Sequence, residues 1–213
     1  MGWMFYACRV LETLDVSNFD TKEVTDMSSM FDGCESLTEL NVSGFNTSKV
    51  TDMSDMFYGC SKITSLDLRN FDTSQVTNMN RMFTACSELT HLDVTSFNTS
   101  KVTDMGYMFY DCHSLKELDL TNFDTKKINL DDYGMDCMFE YCKNLETIYV
   151  GDKFVITGES DYMFYECFKL FGAVGYDENK TGSDMANNLT GYLKKYNKYG
   201  EHKSEKVELY CEK

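Results

Sequence analysis

Apolar and polar positions recur along this chain at a nearly constant interval. A Met-Phe pair stands at residues 4/5, 30/31, 56/57, 82/83, 108/109, 138/139 and 163/164, so the steps between pairs are 26, 26, 26, 26, 30 and 25 residues. A cysteine follows every pair at the same offset. A unit this short cannot bury its apolar side chains alone, so neighbouring units must stack on one another.

Two patterns within a unit predict two elements. In "LTELNVSGF" (37–45), Leu40 and Val42 alternate with polar residues, which is typical of a strand with one buried face. In "TDMSSMFDGC" (25–34), the apolar residues fall at i, i+3, i+4 and i+7, which predicts a short helix or 3₁₀ segment. We therefore expect an α/β solenoid with one short parallel strand and one short helix or 3₁₀ segment in each turn of about 26 residues.

The repeats also predict how the chain is divided. Residues 1–171 would form about seven turns, with a four-residue insertion near 129–132, and residues 172–213 would form a C-terminal capping segment and tail. The first residues, "MGWMFYAC" (1–8), align with "MGYMFYDC" (105–112), which lies in the middle of a turn. From this alignment we expect a fragment of a longer protein, or a protein whose start lies upstream.

The repeated cysteines are predicted to be small core side chains, because free cysteine is among the most buried residue types. This core ladder comprises Cys8, Cys34, Cys60, Cys86, Cys112, Cys142 and Cys167. We expect unpaired thiols here, and a disulfide between Cys137 and Cys211 is an alternative for the two cysteines outside the ladder. Zinc sites use cysteine pairs two to four residues apart, so no metal site is predicted.

Charge and composition narrow the classes of function. Residues 1–171 hold 13 Lys/Arg against 28 Asp/Glu, whereas residues 172–213 hold 7 of each, so the repeats carry the acidic excess. That excess disfavours nucleic acid and anionic lipid as partners. No apolar run reaches the roughly 18 residues of a membrane span, and no catalytic or cofactor motif appears. We expect a protein that is not an enzyme, has no cofactor and does not insert directly into a membrane.

The outward side of the stacked strands is the predicted binding face. Its candidate residues are Glu39, Asn41, Asp67, Arg69, His91, Asp93, Glu117, Asp119 and Tyr149. Carboxylates stacked at strand spacing repel one another, which would attract Ca²⁺ or a basic ligand; the alternative is that water and salt screen them. The insertion adds the candidate residues Asp131, Asp132 and Tyr133.

The segment "ITSLDLRNFDTSQVTNMNRMFTAC" (63–86) resembles the BspA-like leucine-rich repeat, a 26-residue bacterial surface-protein repeat of the Mycoplasma and Listeria lipoprotein type. The segment "YDENKTGSDMANNLTGYLKKY" (176–196) resembles the end of such arrays. The resemblance implies a right-handed leucine-rich-repeat-like coil and a location at the cell surface or outside the cell. It also implies an adhesin-like role in binding a host or neighbouring-cell protein or glycan. The alternative is a structural spacer or stalk that displays another domain.

Overall fold

The first six repeat units each form a short strand in a computed structural model, which describes residues 1–129, 134–156, 158–187 and 191–195. The strands are β1 (Thr13–Leu14), β2 (Glu39–Leu40), β3 (Ser65–Leu66), β4 (His91–Leu92), β5 (Glu117–Leu120), β6 (Thr147–Val150) and β7 (Lys194–Lys195). Helix is almost absent: among the described residues it is limited to the 3₁₀ helix Ser183–Met185.

The strands pair in parallel between equivalent positions of neighbouring units. Strand β1 pairs with β2, so that Thr13 lies opposite Glu39, and β3 pairs with β4. Strands β5, β6 and β7 form a three-stranded sheet in that order. Isolated parallel bridges join Asp26 to Asp52, Asp52 to Asn78 and Asn78 to Asp104, so these repeats are also in phase.

The predicted helix or 3₁₀ segment before each ladder cysteine is wrong. In the second unit, this segment is a pair of turns in which Ser29 and Gly33 have φ of 50° and 71°. Hydrogen bonds run from Met30 N–H to the Met27 carbonyl (3.3 Å) and from Cys34 N–H to the Phe31 carbonyl (3.1 Å). A positive φ at the third residue is typical of a type II turn and interrupts a helix, in which φ stays negative.

Hydrogen bonds between units take the place of helical ones in this turn segment. Alternate N–H groups of the second unit donate to carbonyl groups of the third at 2.8–3.0 Å; the donors are Met27, Ser29, Phe31 and Gly33, and the acceptors are Asp52, Ser54, Met56 and Tyr58. A backbone N–H that donates sideways cannot also close a bond to residue i−4. The four predicted apolar side chains of the segment still enter the core, with no exposed surface.

One continuous apolar core runs through the units. Its most regular part is a column of phenylalanine rings, each stacked on the next at 5.6–5.8 Å between ring centroids with planes within 10° of parallel. The column comprises Phe5, Phe31, Phe57, Phe83, Phe109, Phe139 and Phe164. Its last ring meets the edge of Tyr192, which is fully buried, at 5.4 Å.

The cysteine ladder lines the same core. Its thiols from Cys34 to Cys167 are fully buried, whereas Cys8 in the first unit is only half-buried, which corrects the prediction for that residue. Each buried thiol lies 2.9–3.3 Å from the carbonyl oxygen of the phenylalanine in the preceding unit and can donate to it. All the described cysteines are free, including Cys137; Cys211 lies outside the described residues.

Candidate functional site

The strand segments have the alternation that the sequence predicts. In the second unit, Glu39, Asn41 and Ser43 are exposed while Leu40 and Val42 are buried. The predicted binding face is therefore a polar surface on one side of the stacked units.

The middle positions of this face form a column of turns. The Oδ1 atoms of Asp15, Asn41, Asp67, Asp93 and Asp119 each accept the backbone N–H two residues further on, at 2.9–3.2 Å. A carboxylate and an amide serve this bond equally, so the bond explains why Asn41 can stand in the column. For Asp15 and Asp93, the hydrogen bonds from Ser17 and Thr95 lower the pKa below the ordinary value.

Two groups of predicted binding residues come together on the strand face. In the first, the guanidinium of Arg69 pairs with Asp67 through two contacts of 2.9 and 2.7 Å, and this pairing lowers the pKa of Asp67 to about 2. His91 lies exposed on β4, beside β3, and its charge and that of Arg69 both act on Asp93. Arg69 of this face is thus already paired with an internal carboxylate.

The second group lies at β5 and β6. Tyr149 pairs with Asp119 in the strand register, and burial followed by the charges of Glu117 and Asp119 raises the pKa of Tyr149. The neighbouring Thr147 is buried, and its hydroxyl accepts a hydrogen bond from Lys194 of β7 at 2.9 Å. Part of the predicted face is therefore occupied by β7 of the same chain.

The predicted insertion site is only partly described. Asp131, Asp132 and Tyr133 lie outside the described residues. Among the described residues, a cleft of about 540 Å³ has apolar walls from Ile128, Met135 and Val155 and both acidic and basic side chains in its lining.

A second column of Asp and Asn residues stabilises the stack. This column and the column of the strand face are called the Asx columns. Asp20, Asn46, Asp72, Asn98 and Asp124 each accept the N–H of the residue two positions later at 2.9–3.3 Å. The buried threonine after each of them bridges to the next unit: the hydroxyl of Thr73 donates to the Asn98 carbonyl (3.1 Å) and accepts the Asn98 N–H (2.7 Å). The side chains of this column therefore bond to the backbone of their own turns, a role that Asp and Asn can both fill.

The described part of the chain lacks both a metal-binding cluster and a membrane-spanning helix. It contains no group of three or more His, Cys, Asp or Glu side chains arranged to hold a metal ion. It also contains no helix with the length and apolar character needed to cross a membrane.

A cluster of tyrosines lies on the turn segments of the fifth, sixth and seventh units. We call it the tyrosine stripe; it comprises Tyr107, Tyr110, Tyr141, Tyr162 and Tyr165. Successive rings touch at 5.4–5.9 Å between centroids, in a continuous chain across the three units. Tyr162 is 55% exposed and the other four are half-buried, so the stripe forms an aromatic surface open to solvent.

Three of these tyrosines stand at strained backbone positions. Tyr107, Tyr141 and Tyr162 have φ of 58°, 61° and 52°. Tyr141 occupies the unit position that is glycine in the second and third units, where Gly33 and Gly59 adopt the same conformation. A side chain at positive φ costs about 1–2 kcal/mol relative to an ordinary conformation. Ala85, Asp111 and Glu166 adopt the same conformation at this position in other units, so the strain belongs to the repeated turn.

Charged groups surround the stripe. The guanidinium of Arg81 lies 5.1 Å from the ring centre of Tyr107, and the ammonium of Lys143 lies 5.4 Å from that of Tyr141. Lys143 also pairs with Glu166 at 3.0 Å. Burial, followed by the charge of Glu140, raises the pKa of Tyr110 to about 12. The stripe therefore combines aromatic rings with charged groups of both signs.

A family model described as "Mycoplasma protein of unknown function, DUF285" matches residues 1–92, 60–175 and 86–198 in three overlapping segments. The chain belongs to the DUF285 family. No curated protein and no solved structure matches the chain.

The tyrosine stripe of this DUF285 chain did not emerge from the sequence pattern. The strand alternation directed attention to the strand face, whereas the stripe lies on segments predicted to be helical. A signal was nevertheless present, since tyrosine follows the Met-Phe pair at Tyr6, Tyr58, Tyr110 and Tyr165. Only the turn geometry shows that the rings of the last three units touch.

Proposed function

We propose that this chain is a non-catalytic binding module of the BspA-like type, a right-handed leucine-rich-repeat-like solenoid carried on a bacterial cell surface or secreted. Its partner is a protein or glycan of a host or neighbouring cell. Membership of DUF285, a repeat family with a Mycoplasma description, supports the repeat class and a bacterial setting. The in-phase parallel strands support a stacked coil.

The observation that carries the binding role is the clustering of solvent-facing tyrosines across three units. The ring of Tyr141 contacts those of Tyr110 and Tyr165 at 5.4 and 5.7 Å between centroids. Tyrosine is enriched at interfaces and among the residues that dominate binding energy. A surface that concentrates such residues favours recognition over a purely structural role.

A spacer or stalk is the second candidate. The strand face favours it, because Arg69 of that face is already paired with Asp67. The phenylalanine column from Phe5 to Phe164 would also suit a stiff rod. In a spacer, the stripe would have no partner, and its replacement would leave every interaction of the chain unchanged.

Binding of the whole chain to a glycan array and to a panel of purified host surface proteins tests the proposal. The wild type is compared with Tyr141→Gly, which places at this position the residue that the second and third units already use. We expect a specific ligand for the wild type and at least about tenfold weaker binding for the variant, as for an interface hot spot. Absence of any ligand for the wild type would contradict the binding role and favour the spacer.

A further inference from the structure

We propose that the tyrosine stripe binds a basic polypeptide segment, whose Lys or Arg side chains lie over the tyrosine rings and pair with Glu140 and its neighbouring carboxylates. This inference rests on the proposed function, for which it names the class of partner. Contacts within the chain, the orientation of the rings and the distribution of charge each support it.

The chain's own cations already make the proposed contact. Lys143 lies over the ring of Tyr141 and pairs at the same time with Glu166, at 3.0 Å. Arg81 lies over Tyr107 in the same way. Cation–π attraction of this kind grows as the site loses water. The rings of Tyr110, Tyr162 and Tyr165 have no such cation among the described residues, so they are the positions open to a partner's basic side chains.

The ring orientations favour a polypeptide over a glycan. The planes of Tyr110 and Tyr141 cross at 83°, those of Tyr141 and Tyr165 at 87°, and those of Tyr162 and Tyr165 at 89°. Neighbouring rings therefore form no flat platform on which successive sugar rings could stack. They form notches between a ring face and a ring edge, which suit side chains that leave a backbone at intervals.

The carboxylate of Glu140, next to Tyr141 in the chain, favours a positively charged partner. Glu140 is half-buried, and within the described part of the chain no basic side chain pairs with it. Burial raises the pKa of this carboxyl group, so a cation beside it would relieve the cost of its charge. The chain as a whole has a net charge of −15, which attracts basic partners over a distance and repels acidic ones.

The test titrates the full chain with short synthetic peptides in which Arg alternates with Ser, and with matched peptides in which Glu or Gln replaces Arg. Binding is measured by calorimetry for the wild type, Tyr141→Gly, Tyr165→Ala and Glu140→Gln. Tyr58→Ala is the matched control, because Tyr58 occupies the unit position of Tyr165 but makes no ring contact among the described residues. Circular dichroism verifies that each variant is folded.

We expect the Arg peptide alone to bind. Its affinity should fall about tenfold in Tyr141→Gly, Tyr165→Ala and Glu140→Gln, and it should be unchanged in Tyr58→Ala. Equal binding to all variants would overturn the inference, since it would show adsorption to the general acidic surface. Equal binding of the Gln peptide would also overturn it. If the Arg peptide fails while an array glycan binds the wild type and not Tyr141→Gly, the inference is wrong and the proposed function stands. If neither binds, both are wrong.

Discussion

At the scale of the residue, the buried threonines show how polar side chains join apolar units. The hydroxyl of Thr73 bonds to both backbone groups of Asn98 in the next unit, at 3.1 and 2.7 Å, and its side chain is 1% exposed. Unpaired backbone groups at such a site would lose water without a replacement. Threonine thus supplies a donor and an acceptor where the strands themselves are too short to do so.

Replacing Thr73 with Val keeps the shape of the side chain and removes both hydrogen bonds. We expect Thr73→Val to lower the free energy of unfolding by about 2 kcal/mol, because the N–H and the carbonyl of Asn98 both lose their hydrogen-bond partner. The exposed Thr77, whose hydroxyl only adds a second bond to the Thr51 carbonyl, gives the control. Thr77→Val should cost less than about 0.5 kcal/mol in the same urea titration. Equal losses of unfolding free energy in the two variants would contradict the structural role of the buried threonines.

The turn residues allow a reciprocal exchange between two units. Gly59 and Ala85 occupy the same unit position, with φ of 66° and 57°. A Cβ atom at Gly59 would approach no atom closer than 3.7 Å, so strain alone opposes it. We expect Gly59→Ala to lower stability by about 1 kcal/mol and Ala85→Gly to raise it by up to about the same amount. Thermal melts of the two variants measure this, and equal signs would refute the assigned turn geometry.

At the scale of the element, the strands could be predicted from the sequence and the turns could not. Alternation at Leu40 and Val42 specifies a buried face directly, and both residues are buried. The spacing of Met27, Met30 and Phe31 is shared by a helix and by consecutive four-residue turns, so it could not distinguish them. Glycine before the cysteine, at Gly33 and Gly59, was the available signal, because that residue tolerates positive φ.

The candidate site could likewise be predicted only in part from the sequence. The exposed positions of the strand face could be predicted, since they alternate with buried ones. The edge-on rings of the tyrosine stripe depend on how turns of neighbouring units are oriented. Tyr110 and Tyr141 belong to different units, and a pattern within one unit does not contain their contact.

The cysteine ladder makes the free energy of unfolding depend on pH in the alkaline range. Burial raises the pKa of Cys86 from 9.0 to about 12 and that of Cys60 well above its ordinary value. As pH rises through 9.0, thiols of the unfolded chain lose protons while buried native thiols keep them, so the unfolded state gains stability until pH reaches the native pKa. Each such thiol should lower the free energy of unfolding by roughly 1.4 kcal/mol per pH unit in this window.

Denaturant titrations from pH 9.0 upward can isolate one thiol. Cys86→Ala should show a decline shallower than the wild type by roughly 1.4 kcal/mol per pH unit, because tyrosine and lysine titrations are common to both proteins. Ser87→Ala, at the next position, should retain the wild-type decline. An unchanged slope in Cys86→Ala would mean that this thiol is not held protonated in the native state.

At the scale of the whole molecule, the features form a repeated scaffold with one differentiated region. The phenylalanine column, the cysteine ladder and the two Asx columns recur from unit to unit, whereas the tyrosine stripe is confined to the fifth, sixth and seventh units. Beyond these units, Tyr192 covers Phe164, and β7 extends the sheet of β5 and β6. The proposed binding surface therefore lies near the end of the stack that this closing segment covers.

The stacking of the units is the central structural claim, and the cysteines report on it along the stack. Native protein is treated with iodoacetamide for increasing times, and each cysteine peptide is quantified by mass spectrometry. We predict that half-buried Cys8 is alkylated first, while the buried thiols at Cys34, Cys60, Cys86, Cys112, Cys142 and Cys167 react only after unfolding. Alkylation of Cys60, Cys86 and Cys112 in native protein at the rate of Cys8 would contradict the stacked core.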